Sequence, residues 1–241
     1  MFANLEIPSL VHHLLLALVL AEGLCLILKR MPLWRLAGIL KLVVAGAGLV
    51  WISVQGNRIP LYGPFEALTY LIFVTGILGL IFGRRDLRAP ALWSTAWILG
   101  LFALLWNQPM ALNEDYYMYD NLLVLLFFNL RILSGAFFIH GAAQYLAAAH
   151  TPGKALFHAG RNTLLLAICI YLCSEWTGSL WCLNWYGDSW HWSRGFLKAA
   201  ILFLLTMGAF HLPGQLVRHR ILKAGAGVIP GLFMVWMLFY H

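Results

Sequence analysis

The sequence predicts an all-α integral membrane protein of about eight transmembrane helices. Three observations lead there. Apolar runs of about 20 residues, enough to cross a ~30 Å hydrocarbon core, recur along the whole chain. The composition is 62% hydrophobic and only 10% charged, which no soluble globular domain of 241 residues needs. Basic residues also gather in alternate loops, the pattern that orients membrane proteins.

In order, the runs are about 9–28, 36–54, 64–83, 90–107, 121–148, 162–180, 195–213 and 225–240. The fourth opens at Pro90, which a first helical turn tolerates because its missing N–H has no partner there. The connections are too short for a separate soluble domain, so residues 1–241 are expected to form a single polytopic membrane domain. Lys29, Arg30 and Arg35 follow the first run. Arg84, Arg85 and Arg88 follow the third, Lys154 and Arg161 the fifth, and Arg218, Arg220 and Lys223 the seventh. The other loops carry Glu114, Asp115, Asp120 and Asp188, with Arg58, Arg194 and Lys198 against the trend. The bias places both termini outside the cytoplasm. The net charge of +7 is mostly this orienting signal and does not point to nucleic acid. The first run has no basic flank before it and no small-residue cleavage site after it, so it is expected to be a retained helix. The four cysteines form no C-x-x-C pair, which argues against thiol-redox or zinc chemistry.

Between the sixth and seventh runs lies the densest aromatic stretch, Gly178 to Trp192. It contains Trp181, Trp185, Trp190 and Trp192, with Tyr186, Gly187 and His191 among them. Indole and phenol rings favour the membrane–water boundary, having an apolar body and a polar handle. The stretch reads either as a crowded aromatic belt or as a flat platform for a planar ligand such as haem.

These residues resemble the tryptophan-rich "WWD" signature of the haem-handling membrane proteins of cytochrome c maturation, especially the CcsA/ResC-like branch. That pattern is roughly G-x-x-W-x4-W-G-x2-W-x-W-D. Gly178, Trp181, Gly187, Trp190 and Trp192 match it in spacing. Tyr186 replaces a Trp, and Ser193 replaces the Asp. A second segment, Arg58-Ile-Pro60 to Phe65-Glu66-Ala-Leu68, is similar to the family's R-x-P-x4-Y-E-S-L, with Phe65 in place of Tyr. His211 follows Ser193 at the distance at which the family carries a histidine.

The resemblance implies a component that receives haem b near His211 and presents it at the extracytoplasmic face to apocytochrome c. A second, ResB-like membrane protein would be its partner, in the bacterial inner membrane. The pair would form a cytochrome c haem lyase. In the family two outer histidines flank the Trp platform. Alignment puts Phe127 at the first of these positions, and His241 stands near the second without the family's surrounding residues. The departures at Phe127 and Ser193 leave two rival readings open. One is a structural or assembly subunit that keeps the fold. The other is a haem-b- or quinone-binding anchor of a respiratory complex.

His211 reads as a haem-iron ligand or as a polar residue at a helix end, since Leu212-Pro213-Gly214 follows. His140 is a candidate second ligand at the same depth, and His191 is either a surface residue of its loop or a replacement outer ligand. Arg131, ten residues into the fifth run, needs an internal acid, either Glu66 or Glu175, or a haem propionate. Glu22 lies in the inner half of the first run, and Lys41 is expected to snorkel from the second. His12 and His13 receive no role.

Overall fold

The computed structural model describes residues 3–60, 63–82, 88–108, 110–112, 121–152, 154–188, 193–213 and 219–240, with side chains except at 3–6, 82, 193 and 194. Among them are eight helices and no strand. They are α1 (Ala3–Ile27), α2 (Met31–Gly56), α3 (Pro64–Phe82), α4 (Arg88–Leu104), α5 (Leu122–His150), α6 (Ala155–Tyr186), α7 (Ser193–Phe210) and α8 (Arg220–Phe239). Six of the eight (α1, α2, α3, α5, α6 and α8) are long and apolar enough to cross a membrane. At 17 residues, α4 spans about 25 Å at 1.5 Å per residue, short of the hydrocarbon core. The apolar part of α7, Gly195–Phe210, is shorter still.

The helix ends follow local chemistry. Pro32 sits in the first turn of α2, where a lost N–H costs nothing. Asn57 ends that helix in the left-handed conformation, its N–H donating to the Ser53 carbonyl. The Asn121 side chain accepts from the Leu123 N–H at 2.8 Å and starts α5. Gly187, at φ 72°, ends α6 with its N–H on the Leu183 carbonyl.

The chain divides into two compact units, residues 1–116 and 117–241. In the first, α1 packs on α2 and α4, α2 on α3, and α3 more lightly on α4. Its core holds Leu15, Val19, Ile52, Phe65, Leu71 and Phe102. In the second, α5 packs closely on α6 and α8, and α7 joins α6 to α8. Its core joins Phe138, Tyr145, Phe157, Leu164, Tyr171, Leu202 and Met234. Glycine makes the approach of α8 to α5 possible. A Cβ at Gly227 would stand 2.2 Å from the Tyr145 ring, and one at Gly231 would stand 3.1 Å from the Ala142 Cβ. Many large apolar side chains are exposed on the outer faces, among them Leu24, Val43, Val50, Leu204 and Leu232. Water would disfavour such surfaces, whereas lipid tails suit them, so a bilayer is the natural surrounding of a multi-pass chain of this kind.

Candidate functional site

Among the described residues three buried ion pairs organise the polar interior, and each joins two helices or their ends within one unit. In the first unit Lys41 Nζ lies 2.5 Å from Glu22 Oε2, both side chains about nine-tenths buried. Lys41 therefore does not snorkel as expected: α1 supplies a carboxylate beside it. Arg58, just after α2, forms a two-pronged pair with Glu66 in the first turn of α3, both contacts at 2.8 Å. The planar guanidinium matches the carboxylate fork, and Glu66 also meets the positive end of α3. Phe65 beside it is buried, as is Pro60. The family-motif residues Arg58, Pro60, Phe65 and Glu66 thus lie where α2 hands the chain to α3.

The third pair is in the second unit. Arg131 donates to Glu175 Oε1 at 2.5 Å and to the Tyr171 hydroxyl at 3.3 Å. Its guanidinium also lies 4.5 Å from the Phe127 ring centroid. Of the two acids anticipated for Arg131, Glu175 is the partner, and Glu66 is committed to Arg58. A membrane-buried charge is costly alone, and here it meets a carboxylate, a hydroxyl and an aromatic face.

The same α5–α6 interface explains Phe127 and the first residue of the aromatic stretch, Gly178. Phe127 is fully buried, and a Cβ at Gly178 would come within 2.6 Å of its ring. Gly178 is needed for close approach of the helices, and Ser174 Oγ donates to the Phe127 carbonyl at 2.6 Å. Phe127, where the resemblance led to the expectation of an outer ligand position, is the floor under α6, and its ring has no lone pair to offer iron.

The aromatic residues themselves begin on a helix. The sixth run was expected to end near 180, but α6 continues to Tyr186. Its 32 residues extend about 48 Å, well beyond the thickness of a hydrocarbon core, so the helix is longer than a span needs. No proline interrupts Ser174–Tyr186, and the helix stops only at Gly187. Trp181 is half-buried, whereas Trp185 and Tyr186 are exposed. The Trp181 and Tyr186 rings meet edge to face, with centroids 6.4 Å apart. Trp190, His191 and Trp192 lie outside the described residues, as does His241, and so does the side chain of Ser193.

The histidines have unlike surroundings. His211 follows the last residue of α7, exposed, with its backbone N–H on the Met207 carbonyl. An accessible imidazole is chemistry that haem iron takes. His140 is buried in the α5–α6 interface, its Nε2 3.1 Å from the Gln144 amide nitrogen, while Thr163 donates to the Gln144 oxygen at 2.9 Å. As a haem ligand it would first have to leave Gln144. His12, given no role from the sequence, is buried with its ring 4.9 Å from that of Phe102 on α4. Among the described residues no group of three or more His, Cys, Asp or Glu side chains is placed to hold a metal ion. Comparison with protein-family models, with curated proteins and with solved structures finds no match to this chain.

Proposed function

We propose that this chain is a haem-handling membrane component of cytochrome c biogenesis. It would work in the bacterial inner membrane with both termini outside, presenting haem b to apocytochrome c beside a ResB-like partner. The observation that carries the reading is the spacing of the aromatic signature from Gly178 to Trp192, followed by His211. Three features agree with it. Trp181 and Tyr186 stand at the end of a helix long enough to reach the interface. Gly187 turns the chain there with the left-handed geometry that glycine allows. Arg58 and Glu66, the second motif, are locked together. His211 would hold the iron, and the exposed aromatic faces would orient the ring. Bound haem would supply the vinyl groups that cysteine thiols attack.

A second reading has its own support. Phe127 is closed under Gly178, which suits a structural or assembly subunit that keeps the fold without the outer ligand pair. Maturation of a reporter cytochrome c, in a strain lacking its own synthase but retaining the ResB-like protein, separates the two. The haem-handling reading expects covalent haem in the reporter, with a loss of tenfold or more in His211→Ala. Production at the level of the empty strain would leave the structural reading standing.

A further inference from the structure

We propose that the end of the second unit where α5 and α7 finish and α6 and α8 begin binds the headgroup of an anionic lipid carrying two phosphodiesters, whether or not the chain handles haem. Four helices meet there. Arg220, the first residue of α8, donates to the Ala148 carbonyl at 2.7 Å and to that of Thr151, which fixes α8 to the end of α5. Arg161, near the start of α6, lies 5.8 Å from the Phe210 ring at the end of α7. Lys223 Nζ lies 4.5 Å from the Phe157 ring of α6, and it feels the charges of Lys154 and Arg161.

Lys154, Arg161 and Lys223 are thus three cations held near one another, and none of them pairs with a carboxylate among the described residues. No Asp or Glu occurs in the sequence between Gln144 and Leu164, nor between Leu205 and Gly225. Arg220 is held by neutral carbonyls, so it keeps its positive charge beside them. Both helices that start here lack a side-chain cap: neither Lys154 before α6 nor His219 before α8 accepts from the first turn. Their amides add positive potential at the same place.

This is more than the loop charge that orients a membrane protein. Loose lysines would spread apart, whereas Arg161 and Lys223 are set over aromatic faces on a glycine-packed frame. The flanks also fit lipid rather than a soluble anion. Ile221 and Leu222 beside Lys223 are exposed, and so are Leu165 and Leu166 one turn along from Arg161. Acyl chains would lie on these residues while phosphates meet the cations above. A single phosphodiester would leave most of the charge uncompensated, and two match it better.

Thermal unfolding of the full chain in detergent tests this, with lipids added at equal phosphate. Tetraoleoyl cardiolipin should raise the midpoint by roughly 3 °C or more. Dioleoyl phosphatidylglycerol should give less than half of that, and dioleoyl phosphatidylethanolamine or inorganic phosphate should give none. Lys154→Gln, at an exposed position, should at least halve the cardiolipin response. The triple variant K154Q/R161Q/K223Q should abolish it, and the charge-keeping K154R/R161K/K223R should retain it. A response to phosphatidylglycerol equal to that of cardiolipin would overturn the two-phosphate assignment. An equal response to inorganic phosphate would overturn the lipid one. A full cardiolipin response in Lys154→Gln and the triple Gln variant would remove the site.

Discussion

The two units share a plan and differ in what they place inside it. In each, the four described helices follow a cycle in which the first packs on the second and fourth, and the third joins the second to the fourth. In each, a buried ion pair links the first helix to the second: Glu22 to Lys41 between α1 and α2, and Arg131 to Glu175 between α5 and α6. In each, an arginine opening the fourth helix donates to the last carbonyls of the first. Arg88 reaches Leu26 and Ile27, and Arg220 reaches Ala148 and Thr151. These contacts satisfy carbonyls that a helix end leaves without partners.

The contents then diverge. The first unit sets two separate ion pairs among Leu, Val, Ile and Phe side chains, and a Cβ at its most crowded glycine, Gly48, would approach Val11 Cγ1 at 3.1 Å. The second runs a line of polar groups down one interface. Tyr171, Arg131 and Glu175 lie toward one end, and His140, Gln144 and Thr163 toward the other. It also presses helix backbones against the Tyr145 ring. Among the described residues both units therefore bury charge, in two separate pairs in the first and one in the second, and what sets the second apart is a run of polar side chains along a single helix interface, on the helix that also carries Trp181 and Tyr186.

The largest expected effect breaks that polar line. Glu175→Ala strands a buried guanidinium and should destabilise the fold by about 3–5 kcal/mol, read as loss of folded protein in detergent unfolding. The double variant Arg131→Met, Glu175→Leu should recover most of this, because the charge and its partner leave together. A double variant as damaged as the single one would mean that the pair does more than neutralise itself.

Glycine packing sharpens the comparison at intermediate size. Gly227→Ala drives a methyl into the Tyr145 ring and should cost about 1–3 kcal/mol. Gly48→Ala in the first unit should cost less, since the added methyl would meet Val11 and Thr69 at 3.1 and 3.3 Å, against 2.2 Å at Tyr145. Gly225→Ala, with nothing within 4 Å, should be neutral or stabilising by up to ~1 kcal/mol. The same unfolding assay ranks the three, and a Gly48 variant worse than Gly227 would reverse the contrast. The smallest effect concerns the shared element. Arg88→Gln and Arg220→Gln should each cost about 1 kcal/mol, in similar amounts, because both remove hydrogen bonds to helix-end carbonyls. Hydrogen exchange at the ends of α1 and α5 would report each loss locally.

Each of the eight described helices coincides with one of the apolar runs, and six of them are long and apolar enough to cross a membrane, because a span must be long, continuous and apolar, properties that a single chain displays. Boundaries were less legible. The extension of α6 to Tyr186 lay hidden in a run of tryptophans that favour an interface in any conformation. Ion partners were legible only as choices. Arg131 needed an acid, and both Glu66 and Glu175 satisfied that need; which one it meets depends on how α5 and α6 are turned about their axes. Lys41 was legible as a charge but not as a partner for Glu22, for the same reason. The closeness of Gly178 to Phe127 and of Gly227 to Tyr145 had no sequence signal beyond small residues at helical spacing. Arg58 and Glu66 stood together in one motif, yet only the turn between α2 and α3 makes them a pair.

The central claim is that this chain handles haem and that His211 holds the iron. An absorption spectrum and haem assay of the purified protein, beside His211→Ala, test it most directly. The account predicts a Soret band in the wild type that is lost or shifted in the variant and restored by added imidazole. A wild type without haem when expressed with ample haem supply, or a variant with unchanged haem content and spectrum, would contradict it.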